Sequence, residues 1–460
     1  MKMNWNNCFS GDRYGMQSAE IETRSEYERD WDRIIFSSAF RRLQNKTQVF
    51  PLPEEKFVHN RLTHSLEVAS VGRSLGELVG RGICALQNVE LSKQSTEFYI
   101  YHLKHVIASA CLAHDLGNPA FGHSGEDAIS QFFKNREKDS AFKGRFTDSQ
   151  WADLVSFEGN ANALRLLTKQ FTGRLSGGFR LTYSTLASII KYPCESRAKQ
   201  GKKGPKHRSK YGFFEAEKNA FLDIAGKLNM VQESNADGML IFKRHPFVYL
   251  VEAADDICYS VIDVEDAHRL GIFPTAKVIE MLSKIVLLNP RESEERLGIL
   301  LAKVNDDNEK IAYLRAKSIN ALTLICSEIF LEHADSILQG SFDSDLIGYR
   351  PEVKEVMKMI SGESVRYIYR YPSVIKIELA GFRIMAGLLE DMIDAVLRPA
   401  AERSPEHHNL LDLMPSQYHF EESVSDYEKV MAVLDFASGM TDLYALKLYR
   451  NLRGIEMPGI

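Results

Sequence analysis

The sequence predicts a mostly α-helical protein with little β-strand. Apolar residues recur at spacings of three and four in its longest patterned segments, which is the periodicity of an amphipathic helix. One such segment covers about twenty residues from Arg61, and another covers 247–263. Alternation of polar and apolar residues is sparse. Its clearest case is 46–50, which we expect to be a short strand or an extended segment.

The composition is that of an ordinary globular chain. Its 460 residues are 44% apolar and 26% charged, so a sizeable core can be buried. The net charge of −5 gives no overall attraction to nucleic acid or to a membrane surface. Six cysteines without a CxxC pair indicate a reducing compartment. Since there is neither an apolar signal segment nor a run of ~18 apolar residues that could span a membrane, the expected location is the cytoplasm.

The pattern divides the chain into three parts. Residues 1–30 are polar and are expected to form a loosely attached N-terminal arm. Helical segments from 31 to 275 carry the candidate chemical residues, with a basic insertion at 197–210 that we expect to be exposed and mobile. Residues 276–460 continue the helical pattern and are expected to pack on the preceding core.

The stretch 111–126 organises the chain. It places the adjacent pair His114 and Asp115 at the end of an apolar helix, after which Gly117 and Pro119 break the backbone. Neighbouring residues on a helix point about 100° apart, so within a helix the pair could not easily hold one ion. At an unwound helix end it can, and we expect a metal site here.

The carboxylate of Asp255 is a further candidate ligand, with Asp256 as its competitor. The helix that carries both is strongly apolar, and a buried carboxylate there must be paired or metal-bound because an isolated buried charge is costly. Asp255 shares one helix face with Tyr259 and Asp263, at i+4 and i+8. Tyr259 could stack on a sugar or bond to it, which favours Asp255.

Two imidazoles and two carboxylates form the candidate metal-binding set. Such a set suits Mn, Fe, Co, Ni or Zn and tolerates Mg. Each residue alone has an ordinary structural explanation, but the set favours a common site. Its members are His64, His114, Asp115 and Asp255.

A second group of residues suits acid/base chemistry and phosphate binding. His123 and Glu126 are three residues apart on one helix, so the carboxylate can set the tautomer and the pKa of the imidazole. Arg61 lies one turn before His64 and would project near the same ion. Lys191 and Tyr192 could supply further phosphate contacts.

The order of the metal-binding candidates resembles the signature of HD-domain phosphohydrolases. The flanking motifs are more specific and are similar to those of the bacterial deoxyguanosinetriphosphate triphosphohydrolase family. The resemblance extends from Arg24 to Leu452. The motifs that carry it are 41–50, 61–65, 113–119, 121–123, 252–257 and 438–442.

This resemblance implies an HD-domain helical fold with an extra helical C-terminal part, in which 31–275 is the catalytic core. It implies hydrolysis of a dNTP at the α-phosphorus to deoxynucleoside and inorganic triphosphate, with Mn or Mg as the expected metal, in a homo-oligomer that is typically a hexamer. Asn118 and the basic insertion resemble members that prefer dGTP, but hydrolysis of other dNTPs stays open. His123 with Glu126 would be the catalytic pair. The substrate-binding residues implied are Gln48, Arg61, Asn160, Lys191, Tyr192, Tyr259 and Asp263.

Two alternatives remain at this point. The chain could be another HD-type enzyme, a nucleotidase releasing phosphate or a nuclease. It could also be a regulatory protein that binds single-stranded DNA through the insertion and keeps only a vestigial site, although the intact ligand set argues against this.

Overall fold

The computed structural model describes residues 2–16, 24–50, 58–234 and 237–457. Over these ranges the chain is helical with isolated β-bridges and no sheet, which confirms the predicted fold class. The expected extended segment at 46–50 contributes one bridge, between Thr47 and Asn60. None of the helices in these ranges is long and apolar enough to cross a membrane.

Several helices of the first 270 residues begin directly after a residue whose side chain caps them. The helix that begins at Arg61 is capped by Asn60, whose side chain accepts from the backbone N–H of Thr63 at 2.9 Å. The helices are α1 (Glu26–Ile35), α2 (Ser38–Arg42), α3 (Arg61–Ala85), α4 (Lys93–Glu97), α5 (Leu103–Ala113), α6 (His123–Lys134), α7 (Ser140–Lys143), α8 (Asp148–Val155), α9 (Gly159–Thr168), α10 (Tyr183–Ile189), α11 (Lys218–Lys227) and α12 (Val248–Arg269).

The remainder of the chain is helical as well. A π-helical turn, Ser364–Ile368, precedes the long helix that begins at Pro372. The helices are α13 (Thr275–Val286), α14 (Glu294–Ala302), α15 (Asp307–Glu332), α16 (Ala334–Leu338), α17 (Pro351–Glu363), α18 (Pro372–Leu397), α19 (Pro405–Asp412), α20 (Asp426–Gly439) and α21 (Asp442–Leu452).

Two apolar clusters hold these helices together. In the first, α3 packs along α5, and both contact α12. α3 and α5 can approach closely because Gly76 has no side chain: a Cβ there would lie only 2.7 Å from Cα of Lys104 on α5. In the second cluster, α18 packs on α6, α20 and α21. The first cluster brings the ends of α3 and α5 against α12, and the second brings the C-terminal helices to the same place.

The expectation of a loosely attached N-terminal arm at 1–30 is wrong for residues 2–16. Trp5 and Cys8 are buried in the first apolar cluster. The backbone carbonyl of Cys8 accepts a hydrogen bond from Nε2 of His245 at 2.7 Å. The segment belongs to the core because Met3, Trp5 and Cys8 are buried in this cluster and Phe9 and Tyr14 pack against it. The average polarity of thirty residues does not reveal these few apolar contacts.

The insertion at 197–210 is not the wholly exposed segment that its charge predicts. Ala198 and His207 are buried, and the backbone N–H of Lys206 donates to Oδ1 of Asp343 at 2.9 Å. The segment is wound into short 3₁₀ turns, and the ion pair of Lys206 with Asp345 also joins it to the C-terminal region. The boundaries at 275 and 276 between core and C-terminal part stay a prediction.

Candidate active site

A cavity of about 480 Å³ lies where α3, α6, α9, α12 and α18 approach one another. Most of the residues predicted for the site line it. They are Gln48, Arg61, His114, Asp115, His123, Glu126, Asn160, Lys191, Tyr192, Asp255 and Tyr259. The other two lie behind the wall: His64 bonds to Asp255, and Asp263 bonds to the wall residue Tyr369.

At one end of the cavity the predicted metal-binding side chains come together. Nitrogen or oxygen atoms of His64, His114 and Asp115 lie within 4.8 Å of one another and could hold a metal ion. Oδ1 of Asp255 lies 3.1 Å from Nε2 of His64 and 3.5 Å from Nε2 of His114. We call these four residues the His/Asp cluster.

The hydrogen bonds of His114 fix which nitrogen faces the cluster. Nδ1 donates to the backbone carbonyl of Cys111 at 2.6 Å, which leaves Nε2 as the inward atom. Within the described ranges this buried Nε2 has no hydrogen-bond partner. An orienting bond on one nitrogen and an open position on the other are typical of a histidine that ligates a metal.

The electrostatics of the His/Asp cluster fit a bound cation. Burial works against a charged imidazole at His114, but the carboxylates of Asp115 and Asp255 outweigh it and raise the pKa of His114 to about 9. Burial likewise works against Asp255, but His114 and His64 hold the pKa of that carboxyl well below its usual range. A positive charge next to these carboxylates is therefore stabilising. A divalent ion would supply it while the imidazoles stay neutral ligands.

Arg61 joins the His/Asp cluster to the turn before α6. Its Nη1 donates to Oδ2 of Asp115 at 2.6 Å, while Nε is buried without a partner in the described part of the chain. Gly122 makes this approach possible, because a Cβ there would lie 2.7 Å from Nη2 of Arg61 and because its φ is +57°. The guanidinium thus reaches the cavity next to His123.

His123 and Glu126 form the predicted pair. Nδ1 of His123 and Oε2 of Glu126 are 2.8 Å apart, and the other oxygen of Glu126 accepts from the backbone N–H of Gly159 at 2.8 Å. The bond to Glu126 raises the pKa of His123. The His123 side chain is 85% exposed, so its remaining nitrogen is open to a ligand in the cavity.

Two lysines add positive charge to the wall. Nζ of Lys191 lies 3.2 Å from Oε1 of Glu252, and Nζ of Lys210 lies 2.7 Å from Oε1 of Glu158. Lys210 was not among the predicted site residues, because it falls within the insertion that was expected to be exposed. The aromatic residues that follow it at 211–214 could have indicated its position, because they are buried and mark where the chain returns to the core.

The opposite end of the cavity carries phenol rings and a buried acid. The rings of Tyr259 and Tyr369 stack with centroids 6.0 Å apart, and the hydroxyl of Tyr369 donates to Oδ2 of Asp263 at 2.8 Å. Burial, assisted by Asp266, raises the pKa of Asp263 to about 8. Tyr369, and Glu378 on α18, also line this end and were not predicted. No local motif marks them, because the packing of α18 brings them here.

Comparison with known proteins agrees with this arrangement. The HD domain family matches residues 61–169, which supply His64, His114 and Asp115. Fold and site together define the class as an HD-type phosphohydrolase.

Relatives of similar length show which family within this class the chain belongs to. A deoxyguanosinetriphosphate triphosphohydrolase-like protein of Synechocystis is 37% identical over 99% of this chain and 100% of its own length. Another of the same description, from Pseudomonas aeruginosa, is 35% identical over 99% and 100%. A deoxyguanosinetriphosphate triphosphohydrolase of Yersinia enterocolitica is 29% identical over 95% of each chain. The chain therefore belongs to the deoxyguanosinetriphosphate triphosphohydrolase family.

Proposed function

We propose that this protein is a metal-dependent triphosphohydrolase that converts dGTP to deoxyguanosine and inorganic triphosphate. One observation carries the proposal: a single cavity is lined by three members of the His/Asp cluster, a histidine paired with a carboxylate, and three cationic side chains, with stacked phenol rings at its other end. Its volume of about 480 Å³ is within the range of small-molecule sites. The description of the Yersinia relative supports the same substrate.

We assign the metal to His64, His114, Asp115 and Asp255, with Mn or Mg as the first candidates and Fe, Co, Ni or Zn after them. When bound, a divalent ion polarises a phosphoryl oxygen and offsets charge in the transition state. Arg61, Lys191, Lys210 and Asn160 would bind the triphosphate oxygens, and the buried unpartnered Nε of Arg61 supports this role.

His123 would move the proton in the cleavage step. Water attacks the α-phosphorus, the bond from phosphorus to the 5′ oxygen breaks, and the 5′ oxygen receives a proton. The imidazole can either give that proton or take one from the water, and Glu126 stabilises its charged form. Phosphate-binding cations and the proton-transfer group would thus act on one bond.

The sugar and the base would lie at the phenol end. Oε1 of Gln48 is buried without a partner in the described ranges, so it can accept a hydrogen bond from a sugar hydroxyl. Tyr259 would lie against the deoxyribose and exclude a 2′-hydroxyl. Asp263, one turn further along the same helix, would lie near the sugar as well. Among the carboxylates described on the wall, that of Glu378 has no ion-pair partner. It can accept hydrogen bonds from N1–H and from the N2 amino group of guanine, two donors that adenine lacks.

A product assay tests the function directly. The purified protein is incubated with each dNTP and with GTP, in Mn or in Mg, and deoxynucleoside and triphosphate are resolved. We expect deoxyguanosine and triphosphate from dGTP. Equal cleavage of all dNTPs would keep the reaction and overturn the preference, whereas phosphate or pyrophosphate as product would overturn the reaction itself.

We also propose partners at two surfaces. Four basic side chains of the insertion have no described ion-pair partner and would contact single-stranded DNA: Arg197, Lys199, Lys202 and Lys203. Replacing them by Ala should weaken DNA binding and flatten its salt dependence. Exposed apolar side chains between 365 and 379 support a homo-oligomer, hexameric by resemblance, and light scattering would give its size.

A further inference from the structure

The C-terminal motif 438–442 contacts two segments of the active site without lining the cavity. Oδ2 of Asp442 accepts from the backbone N–H of Thr47 at 2.7 Å. Oδ1 of the same carboxylate accepts from the backbone N–H of Phe121 at 2.9 Å. One side chain therefore joins two segments that lie 395 and 321 residues before it in the chain.

Lys46 makes a second connection between the same segments. Its Nζ donates to the backbone carbonyl of Asn118 at 2.6 Å and to that of Ser438 at 2.8 Å. The side chain is buried, so these two carbonyls satisfy it away from water. We call Lys46 and Asp442, with their four hydrogen bonds, the clasp.

Both segments held by the clasp lead directly to predicted site residues. Gln48 follows Thr47, and His123 is two positions after Phe121. Phe121 has a φ of +62°, a conformation that residues other than glycine adopt only when their surroundings impose it. The bond from its N–H to Asp442 is one such constraint, and it acts directly before the turn that presents His123.

We propose that Asp442 is a positioning residue, which fixes His123 relative to Gln48 so that both act on one bound substrate. This inference rests on the proposed function of the cavity. The alternative is a helix-end role, because Asp442 is the first residue of α21 and a negative charge there stabilises a helix. Asp426 is the matched control: it is the first residue of α20, also follows a capping hydroxyl, and pairs with Arg145, and neither residue lines the cavity.

The test compares Asp442→Ala, Asp442→Asn and Asp426→Ala by hydrogen exchange and by steady-state kinetics. Without substrate, Asp442→Ala should speed amide exchange in 43–50 and in 113–124, and Asp426→Ala should leave both unchanged. Asn keeps one acceptor oxygen, so Asp442→Asn should protect only one of the two segments. This variant also decides the question if the alanine variant fails to fold.

The kinetic result separates positioning from general stability. Misplacing a catalytic group by about 1 Å can lower the reaction rate by ~10²-fold. We therefore expect Asp442→Ala to lower kcat by roughly 10- to 100-fold, with a smaller change in KM. Asp442→Asn should restore part of the lost kcat. Unchanged exchange at both segments would overturn the inference, and so would a kcat within about twofold of wild type in a folded variant. If wild type cleaved no nucleotide, the proposed function would fail while the exchange experiment still decided the role of Asp442.

Discussion

The two ends of the cavity hold their acidic groups in opposite ways. At the His/Asp cluster, His114 and His64 keep the carboxyl of Asp255 ionised. At the phenol end, burial raises the pKa of Asp263 to about 8, and its oxygen accepts a hydrogen bond from Tyr369 instead of pairing with a cation. The acids of the metal-binding end stay ionised among cations, whereas the buried acid behind the phenol end is held in its neutral form, which suits a ligand with phosphates at one end and a sugar at the other.

The charged end should be the more sensitive one. Asp255→Ala removes a proposed metal ligand from the His/Asp cluster, so we expect metal content and activity to fall together. Activity should fall by roughly 10³-fold or more, because a catalytic ion supplies several kcal/mol of transition-state stabilisation. Metal analysis and the product assay measure the two effects. Asp256→Asn, at the neighbouring position, is the control and should keep both.

Loss of His123, the proposed proton-transfer group, should separate metal binding from turnover. His123→Ala should keep its metal and lose about 10²- to 10⁴-fold in rate. A variant that kept most of its rate would contradict the assignment of His123.

The carboxylate partner of His123 gives a prediction for pH dependence. Because the bond to Glu126 raises the pKa of His123, Glu126→Gln should move the corresponding limb of the kcat/KM profile to lower pH. An alkaline limb would identify His123 as the acid, and an acidic limb would identify it as the base. Asp127→Asn, on the exposed face of α6, should leave the profile in place.

The two ends also differ in how far their residues could be predicted from the sequence. His114 and Asp115 are adjacent at a helix end, and α3 begins at Arg61 as its periodicity predicts, so local pattern was enough to predict these positions. Tyr369 follows a π-helical turn and reaches Asp263 across 106 residues, so no spacing rule connects the two. Lys210 was missed because the charge of its segment concealed the point where the chain returns to the core.

The phenol end can be tested by removing one hydroxyl. Tyr369→Phe keeps the ring stacked on Tyr259 but leaves Oδ2 of Asp263 without its donor, which should cost about 1–3 kcal/mol of folding stability. We expect a lower urea midpoint and a higher KM for dGTP, with kcat nearly unchanged. Tyr367→Phe is the control, since no hydrogen bond of the Tyr367 hydroxyl is among those described. A large loss of kcat with unchanged KM would place Tyr369 in the chemistry instead.

The smallest expected effect concerns the base. Glu378 is exposed at the cavity wall, so a hydrogen bond that its carboxylate accepts from guanine would be worth about 0.5–1.5 kcal/mol, or roughly 2- to 10-fold. Glu378→Gln should lower kcat/KM for dGTP by that factor and leave the value for dATP unchanged. Glu390→Gln, on the same helix but outside this cavity, should change neither. Equal losses for both nucleotides would assign Glu378 to the general shape of the cavity, and guanine selection would then have to come from the backbone or from the neighbouring wall.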